Sequence, residues 1–433
     1  MNESQHDDNH NTDHSANLRE SLDAIIHDEI ARQGPIPFAR FMELALYHPT
    51  LGYYNGGGAD REPIGWEGDF FTSGDLHPLW GWALARQLHQ MWELLGKPGR
   101  FSVVEPGAGR GLLAPAVWRY ALQSAPDWGR ALHYYLVDQS PPESPLRAAR
   151  SQRLAHNLSQ LDVPDGRVQW TTLDAFAPDH AGGRGPITGC IVSNELVDAL
   201  PVHRIEKQGG ALREIAVALD AHSGRLIETL GDPSSAAVAR YLDEYHIPWR
   251  AYPDGWQAEV CLAARNWMRQ VARSLARGLI LTVDYGDTAR RLYTRDRRHG
   301  TLMVYAHHQL GERPLAQPGR QDLTAHVNFT ALLAAGRAEG LRLAGYTTQR
   351  DLLERLGIRA EADALAARLY PYADSERQTS RGQLDYLRRS SLRTAINTLL
   401  DPHGLGNFKA LALHRSVPGA RSALQGFTTT SSA

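Results

Sequence analysis

The chain comprises 433 residues with a net charge of −2, 42% of them hydrophobic and 22% charged. That length buries a sizeable core, as one large domain or two ordinary ones. The near-neutral balance excludes the basic field typical of nucleic-acid binding, and no apolar run approaches the ~20 residues of a membrane span.

Residues 1–16 are polar, rich in Asp, Asn and His, and hold neither Lys nor Arg. They exclude a secretory signal or an Arg-rich transit peptide and predict a disordered tail. From Asn17 to residue 95 the pattern predicts an N-terminal helical cap. Asn17 and Glu20 have capping-box spacing. Leu18, Leu22, Ile25, Ile26 and Ile30 form one apolar face that Gly34-Pro35 stops. Gly68-Asp69-Phe70-Phe71-Thr72-Ser73 reads as a loop, with Thr72 or Ser73 able to cap a helix over 79–95. Trp66, Trp80, Trp82 and Trp92 around that loop read as core aromatics.

Residues 101–111, Phe-Ser-Val-Val-Glu-Pro-Gly-Ala-Gly-Arg-Gly, are the most informative stretch. A β-branched run ends in Glu105, glycines follow at 107, 109 and 111, and 112–120 is helix-compatible. A strand that turns on glycines into a helix leaves N–H groups unpaired beside a surface without Cβ atoms. A flat cofactor can then lie close to the backbone. The dinucleotide fingerprint needs glycine where Leu112 stands, which counts against NAD and FAD.

Residues 132–138 read as a buried parallel strand ending in Asp138. In a doubly wound sheet that acid reaches the ribose hydroxyls of an adenosyl ligand; capping a helix near Pro141-Pro142 is its structural alternative. A short strand over 167–170 precedes Thr172-Leu173-Asp174-Ala175-Phe176, where Asp174 is a third acid at a strand end. Residues 187–193 form a fourth strand. Two runs, 202–206 and 212–219, flank Gly209-Gly210 as a hairpin. Residues 256–275 have helical character, 278–284 form a fifth buried strand, and 341–347 with 408–413 suit a closing antiparallel pair. The two cysteines, Cys190 and Cys261, lie in apolar runs and suit a reducing, cytoplasmic compartment. Neither Cys-x-x-Cys nor His-Glu-x-x-His occurs, so no metal site is expected.

This alternation predicts an α/β fold with a doubly wound, parallel-centred sheet covered on both faces. Residues 17–415 then form a single domain. Its core is 100–200 and 278–415, with 17–95 as the cap and 201–277 as an insertion after the fourth strand. The Ser/Thr/Gly-rich 416–433 predict a second disordered tail.

The Glu-x-Gly-x-Gly-x-Gly form resembles the first motif of class I S-adenosylmethionine (SAM) methyltransferases, where the acid lies near the methionyl ammonium. Further segments make the resemblance specific. They are Gly34-Pro35-Ile36-Pro37-Phe38-Ala39-Arg40-Phe41-Met42, Tyr47-His48-Pro49, Gly52-Tyr53-Tyr54 and the Gly68–Ser73 loop already quoted. Later come Ser193-Asn194-Glu195-Leu196-Val197-Asp198-Ala199-Leu200-Pro201-Val202-His203, Val283-Asp284-Tyr285-Gly286, Gly300-Thr301-Leu302 and Gln321-Asp322-Leu323-Thr324-Ala325-His326-Val327. In this order they resemble the MidA-like family of SAM-dependent methyltransferases. Its mitochondrial members assist assembly of respiratory complex I by dimethylating an arginine of one subunit. Two departures stand out. Gly74-Asp75 occupies the place of a frequent Pro-Glu, and Pro106-Gly107-Ala108-Gly109 that of an apolar residue and Gly-Pro-Gly. Neither removes a glycine or an acid that the cofactor needs; the first bears on the shape of the cap loop. The resemblance implies a class I methyltransferase fold with SAM as cofactor. It implies binding through Glu105, Gly107, Gly109, Gly111, Asp138 and Asp174, with Gly68, Asp69, Thr72 and Ser73 in a loop over the ligand.

Methyl transfer from a sulfonium is an in-line displacement, so the protein chiefly aligns an acceptor and excludes water. A guanidinium nitrogen is a poor nucleophile while its cation is delocalised. Carboxylates that grip the planar fork localise the charge and aim one nitrogen. Glu195 and Asp198 follow the fourth strand at the edge where ligands bind in such sheets, and their spacing puts both on one side of a helix. Helix-terminal acids are the alternative. Asn194 either accepts from the acceptor or caps that helix. Asp322, Thr324 and His326 fall in a polar loop, where His326 could take a proton. Three functions suit these residues: a protein arginine methyltransferase, a small-molecule O- or N-methyltransferase on the same sheet, and a non-catalytic SAM-binding assembly factor. Intact Glu105, Asp138, Glu195 and Asp198 argue against the third. A protein substrate and a homodimeric assembly are the expected partners.

Overall fold

The apolar runs read as buried strands pair with one another in a computed structural model of the protein. It describes residues 21–55, 62–65, 68–142, 144–306, 309–376 and 378–428. The proposed Asn17–Glu20 capping box, Leu18, Trp66, the tail 1–16 and residues 429–433 lie outside the described residues. Contacts divide the chain into two units: Met1–Pro63, Pro201–Leu262 and Tyr293–Thr324 in the first, Ile64–Leu200, Ala263–Leu292 and Ala325–Ala433 in the second.

The second unit holds the seven-stranded sheet. Strands β1 (Phe101–Pro106), β2 (Leu132–Val137), β3 (Val168–Thr171), β4 (Ile187–Asn194) and β5 (Leu275–Asp284) run parallel. Strands β6 (Arg342–Thr348) and β7 (Lys409–Arg415) close it antiparallel, in the order β6-β7-β5-β4-β1-β2-β3. Every residue of β1 is buried, as a parallel strand covered on both faces requires. From β1 the chain winds one way to β3, then returns to place β4 on the other side of β1. That reversal is the topological switch point where ligands bind, outside the carboxyl ends of the strands.

Helices cover this sheet: α1 (Ser73–Leu76), α2 (Leu79–Leu94), α3 (Leu113–Ser124), α4 (Pro145–Ser159), α5 (Leu262–Ser274), α6 (Gln349–Arg355), α7 (Ile358–Leu369) and α8 (Ser380–Leu399). The core runs from Leu84, Leu88 and Met91 of α2 through Val117 and Trp118 of α3 to Val103, Cys190 and Leu281 of the strands.

The first unit is built on a five-stranded antiparallel sheet. Residues 203–208 and 211–219 form the expected hairpin, turning on Gly209 and Gly210, both at positive φ, which suits a two-residue primed turn. Ile36–Pro37 and Leu226–Gly231 pair with the longer hairpin strand, and Gln257–Val260 with the shorter. Helix Leu22–Gln33 starts at Ser21, whose side chain accepts the Ala24 N–H, and stops at Gly34. The same unit contains a small sheet of Met303–Ala306 between Gln309–Gly311 and Asp322–Thr324. There Asp322 is buried and accepts the Tyr54 hydroxyl at 2.8 Å.

Five segments differ from the sequence reading. Residues 64–95, expected in the cap, belong with the sheet, because α2 packs on α3 and buries Ala83, Leu84 and Leu88 completely. The insertion ends at Leu262 rather than 277, since α5 is the crossover that returns the chain from β4 to β5. Residues 257–260, within the expected helix, pair instead with 203–206 and bury Ala258 and Val260, a case of tertiary pairing overriding local pattern. Residues 293–324, expected in the core, fall in the first unit. Of the tail expected to be disordered, 416–428 is packed: Val417, Ala420 and Leu424 are buried around a short helix at Ala420–Ala423.

Candidate active site

At the carboxyl end of β1 the chain makes the glycine turn. Gly107, Gly109 and Gly111 all have positive φ, at 68°, 49° and 69°. A Cβ on Gly107 would lie 2.7 Å from Leu196, and one on Gly111 3.1 Å from Leu136. The turn therefore needs glycine for its conformation and for close approach. Helix α3 then starts at Leu113 without a side-chain cap, leaving first-turn N–H groups for a ligand. Glu105, 8% exposed, points to Tyr134 of β2, whose hydroxyl donates to it at 2.7 Å. Burial pushes the Glu105 carboxyl up to about 8, with the Tyr134 bond opposing. A buried acid so placed ionises readily only when a cation comes to it.

Asp138 follows β2 at the same edge. Its Oδ1 accepts the Ser140 N–H at 3.0 Å, and its Oδ2 faces Arg150 at 3.3 Å and Arg147 at 3.7 Å. The N-cap of α4 is Ser144, so Asp138 does not take the capping role that was its alternative. Asp174 lies exposed on the turn after β3 and accepts from Gln270 of α5 at 2.9 Å. Gly68 donates its N–H to Gly65, and Asp69 is buried beside it. Thr72 is the N-cap of α1, closed by Asp75 in a capping box.

The second half of the site lies where β4 meets β5. Glu195 and Asp198 are not on a helix: residues 195–200 form an irregular loop, and Glu195 itself sits at φ 48°. Non-glycine residues in that region cost free energy and concentrate at functional sites. Asn194 ends β4 rather than capping a helix, and its amide donates to Glu195 Oε1 at 2.9 Å, as does the Ser73 N–H. The loop is shaped by Asp284 at the end of β5, fully buried, whose Oδ2 accepts Val197 N–H at 2.8 Å and Asp198 N–H at 3.3 Å.

Three carboxyl groups thus share one buried corner. Burial pushes Glu195 up to about 7, against the Ser73 and Asn194 bonds. Burial also raises Asp198, opposed by the Tyr285 hydroxyl and backbone amides. Asp284 is raised well above the usual carboxylate range, by burial and then by the charges of Asp198 and Glu195. Like charges this close cannot all ionise without a cation among them. Two buried acceptors, Asn194 Oδ1 and Asp198 Oδ1, have no hydrogen-bond donor among the described residues. The ring of His326 meets Tyr285 edge-on, with ring centroids 5.5 Å apart.

This arrangement offers a backbone cradle and a cluster of acids at one sheet edge. A family model of S-adenosyl-L-methionine-dependent methyltransferases matches residues 83–347, more than half the chain. A Burkholderia thailandensis protein crystallised bound to S-adenosyl-homocysteine is 30% identical, covering 94% of this chain and 95% of its own, with a TM-score of 0.77. The chain belongs to the MidA-like family of SAM-dependent methyltransferases. Relatives include a Drosophila melanogaster protein named protein arginine methyltransferase NDUFAF7 homolog, mitochondrial. It is 27% identical over 417 residues, covering 92% of this chain and 86% of its own length. The human protein arginine methyltransferase NDUFAF7 is 26% identical, covering 91% and 83%.

SAM is the cofactor, and the first half of the site fits it. The Cβ-free turn lets the ligand approach the backbone closely, buried Glu105 suits its ammonium, and Asp138 suits hydroxyl donors. Asp138→Asn keeps a partner for Arg150 but loses the charge. It is expected to weaken SAM binding by about 1–3 kcal/mol in isothermal titration, as for lost charge-assisted bonds. An unchanged affinity would remove Asp138 from the cofactor site. In this MidA-like chain the structure also brings in residues that sequence reasoning does not place: Arg110, Asp75, Gln349 and Arg150. Their signal is a long-range ion pair or hydrogen bond, which no local pattern shows.

Proposed function

We propose that this methyltransferase modifies an arginine side chain of a protein substrate. The observation that supports it is the pair of buried acceptors that find no donor among the described residues, Asn194 Oδ1 and Asp198 Oδ1, beside Glu195. A guanidinium brings five N–H donors and a permanent charge; it satisfies such acceptors and offsets the mutual repulsion of the acids. The names of the relatives, protein arginine methyltransferases, agree with this reading. The family resemblance suggests respiratory-complex assembly as its setting, and the balanced charge and reduced cysteines suit the cytoplasm.

Bound at the glycine turn, SAM supplies an electrophilic methyl on a sulfonium. The chain does the rest. Glu195 and Asp198 hold the acceptor's planar fork and concentrate its positive charge on the bound nitrogens, freeing electron density on the one to be methylated. Asn194 and the Ser73 N–H fix the Glu195 rotamer. The proton lost from the methylated nitrogen passes to a carboxylate of the cluster, which burial has made basic enough to take it.

The test is to treat lysate of a deletion strain with the enzyme and methyl-tritiated SAM, then hydrolyse the labelled protein. Methylarginine as the labelled product supports the proposal; label on another side chain or on a small molecule overturns it. A pH dependence follows as well. The working form needs ionised Glu195, whose carboxyl is raised to about 7. The value of kcat/KM, which reports the free enzyme, should therefore fall about tenfold per pH unit below that pH and level off above it. A flat profile from about pH 5.5 to 8.5 would separate Glu195 from the chemistry.

A further inference from the structure

The four-residue helix α1 touches both halves of the site. Its Asp75 side chain is only 1% exposed and forms an ion pair through Oδ1 with Arg110, which lies between Gly109 and Gly111 in the cofactor turn. Asp75 Oδ2 accepts both the N–H and the hydroxyl of Thr72, each at 2.9 Å. The next residue, Ser73, sends its N–H to Glu195 Oε1 at 2.9 Å. The Ser73 hydroxyl is held from behind by Gln349 Nε2 at 3.2 Å, and Trp80 Nε1 donates to the same amide group at 3.1 Å. The Arg110 guanidinium is confined in turn: a Cβ on Gly65 would meet its Nη1 at 2.2 Å.

We propose that Asp75 is a positioning residue that couples the cofactor turn to the acceptor-holding carboxylate. One carboxylate performs two tasks with its two oxygens. Oδ1 neutralises Arg110 and so fixes the turn that must receive a cationic cofactor. Oδ2 closes the capping box that orients the first N–H groups of α1, among them the one that Glu195 accepts. A shift of the turn moves Arg110, hence Asp75, hence the Ser73 N–H. Each link is a charge-assisted or backbone bond between partly or fully buried groups, so the path is stiff rather than diffuse. The coupling to Glu195 rests on the acceptor role proposed above; the effect on the cofactor does not.

The test compares Asp75→Asn and Asp75→Glu in the full chain. The amide can keep the Thr72 bond but cannot pair with Arg110. Asp75→Asn should raise the SAM dissociation constant about tenfold in isothermal titration, the scale of one lost charge-assisted contact. It should also lower the methyl-transfer rate at saturating SAM and move the midpoint of the pH–rate profile upward by about half a unit, because a displaced Ser73 N–H stabilises ionised Glu195 less. Asp75→Glu, which restores the charge opposite Arg110 and can still accept from Thr72, should recover most of both. A merely structural role predicts a lower melting temperature with SAM affinity, saturated rate and midpoint per folded molecule unchanged, and that result would overturn the proposal. So would loss in Asp75→Glu equal to that in Asp75→Asn while both remain folded. If SAM affinity falls but the wild-type profile shows no Glu195 midpoint, the acceptor reading fails while Asp75 still governs the turn.

Discussion

Gly109→Val should abolish SAM binding while leaving the fold intact. Gly109 sits at φ 49°, where a residue with a Cβ is strained by about 1–2 kcal/mol and a β-branched one by more. A Cβ there would lie 3.4 Å from Ile64 Cδ1, and the valine methyl groups reach beyond it. The backbone either rotates out of the left-handed region or keeps its path with methyl groups standing in the cradle. In both cases N–H groups that a cofactor needs are displaced or covered. A loss of at least about 100-fold in affinity, near 2.7 kcal/mol, is expected. Strands β1 and β2 pair through backbone bonds from Phe101 to Pro106 that do not include Gly109, so circular dichroism should report an unchanged fold. The check is isothermal titration with SAM beside a thermal melt. Unaltered affinity in a folded Gly109→Val protein would place the cofactor elsewhere.

The turn is legible in the sequence because its signal is local. Alternate glycines after a β-branched run specify a backbone path, and Glu105 and Asp138 stand at the ends of strands that hydrophobicity alone marks. The closing antiparallel pair is marked in the same way: β6 and β7 pair from Arg342 opposite His414 to Thr348 opposite Lys409, with a one-residue register shift between Leu343 and Gly345. The acceptor half is legible only as residue names. Spacing alone puts Glu195 and Asp198 on a helix, whereas the left-handed turn at Glu195 and the Asp284 bonds to Val197 and Asp198 fold that segment into a loop. Those bonds exist because β4 and β5 are neighbours, a non-local fact. The same limit explains Gln257–Val260, whose strand state depends on its pairing with 203–206, and α2, whose place beside α3 no periodicity shows. The Arg110–Asp75 pair spans separate segments and leaves no trace in spacing.

The carboxylate pair yields the sharpest expectation about chemistry. Glu195→Gln keeps shape and can still accept the Ser73 N–H, but it cannot supply charge to a guanidinium or take its proton. Methyl transfer should fall by about 10²–10⁴-fold, the range for removing a positioned acid–base group, with SAM affinity near wild type. Loss confined to kcat would show an interaction made mainly in the transition state, and a rise in KM alone would show uniform substrate binding. Asp198→Asn should act in the same direction, since its Oδ1 is one of the unpaired buried acceptors. The two acids share one corner and, on this reading, one ligand, so the double variant should lose less than the sum of the single losses. Removing one charge also relieves the repulsion that raises Asp284, so either variant should gain rather than lose thermal stability at neutral pH. That sign separates the accounts. Acids retained for structure alone predict a lower melting temperature with activity per folded molecule preserved, and such a result in calorimetry and single-turnover assays would take both residues out of the acceptor site.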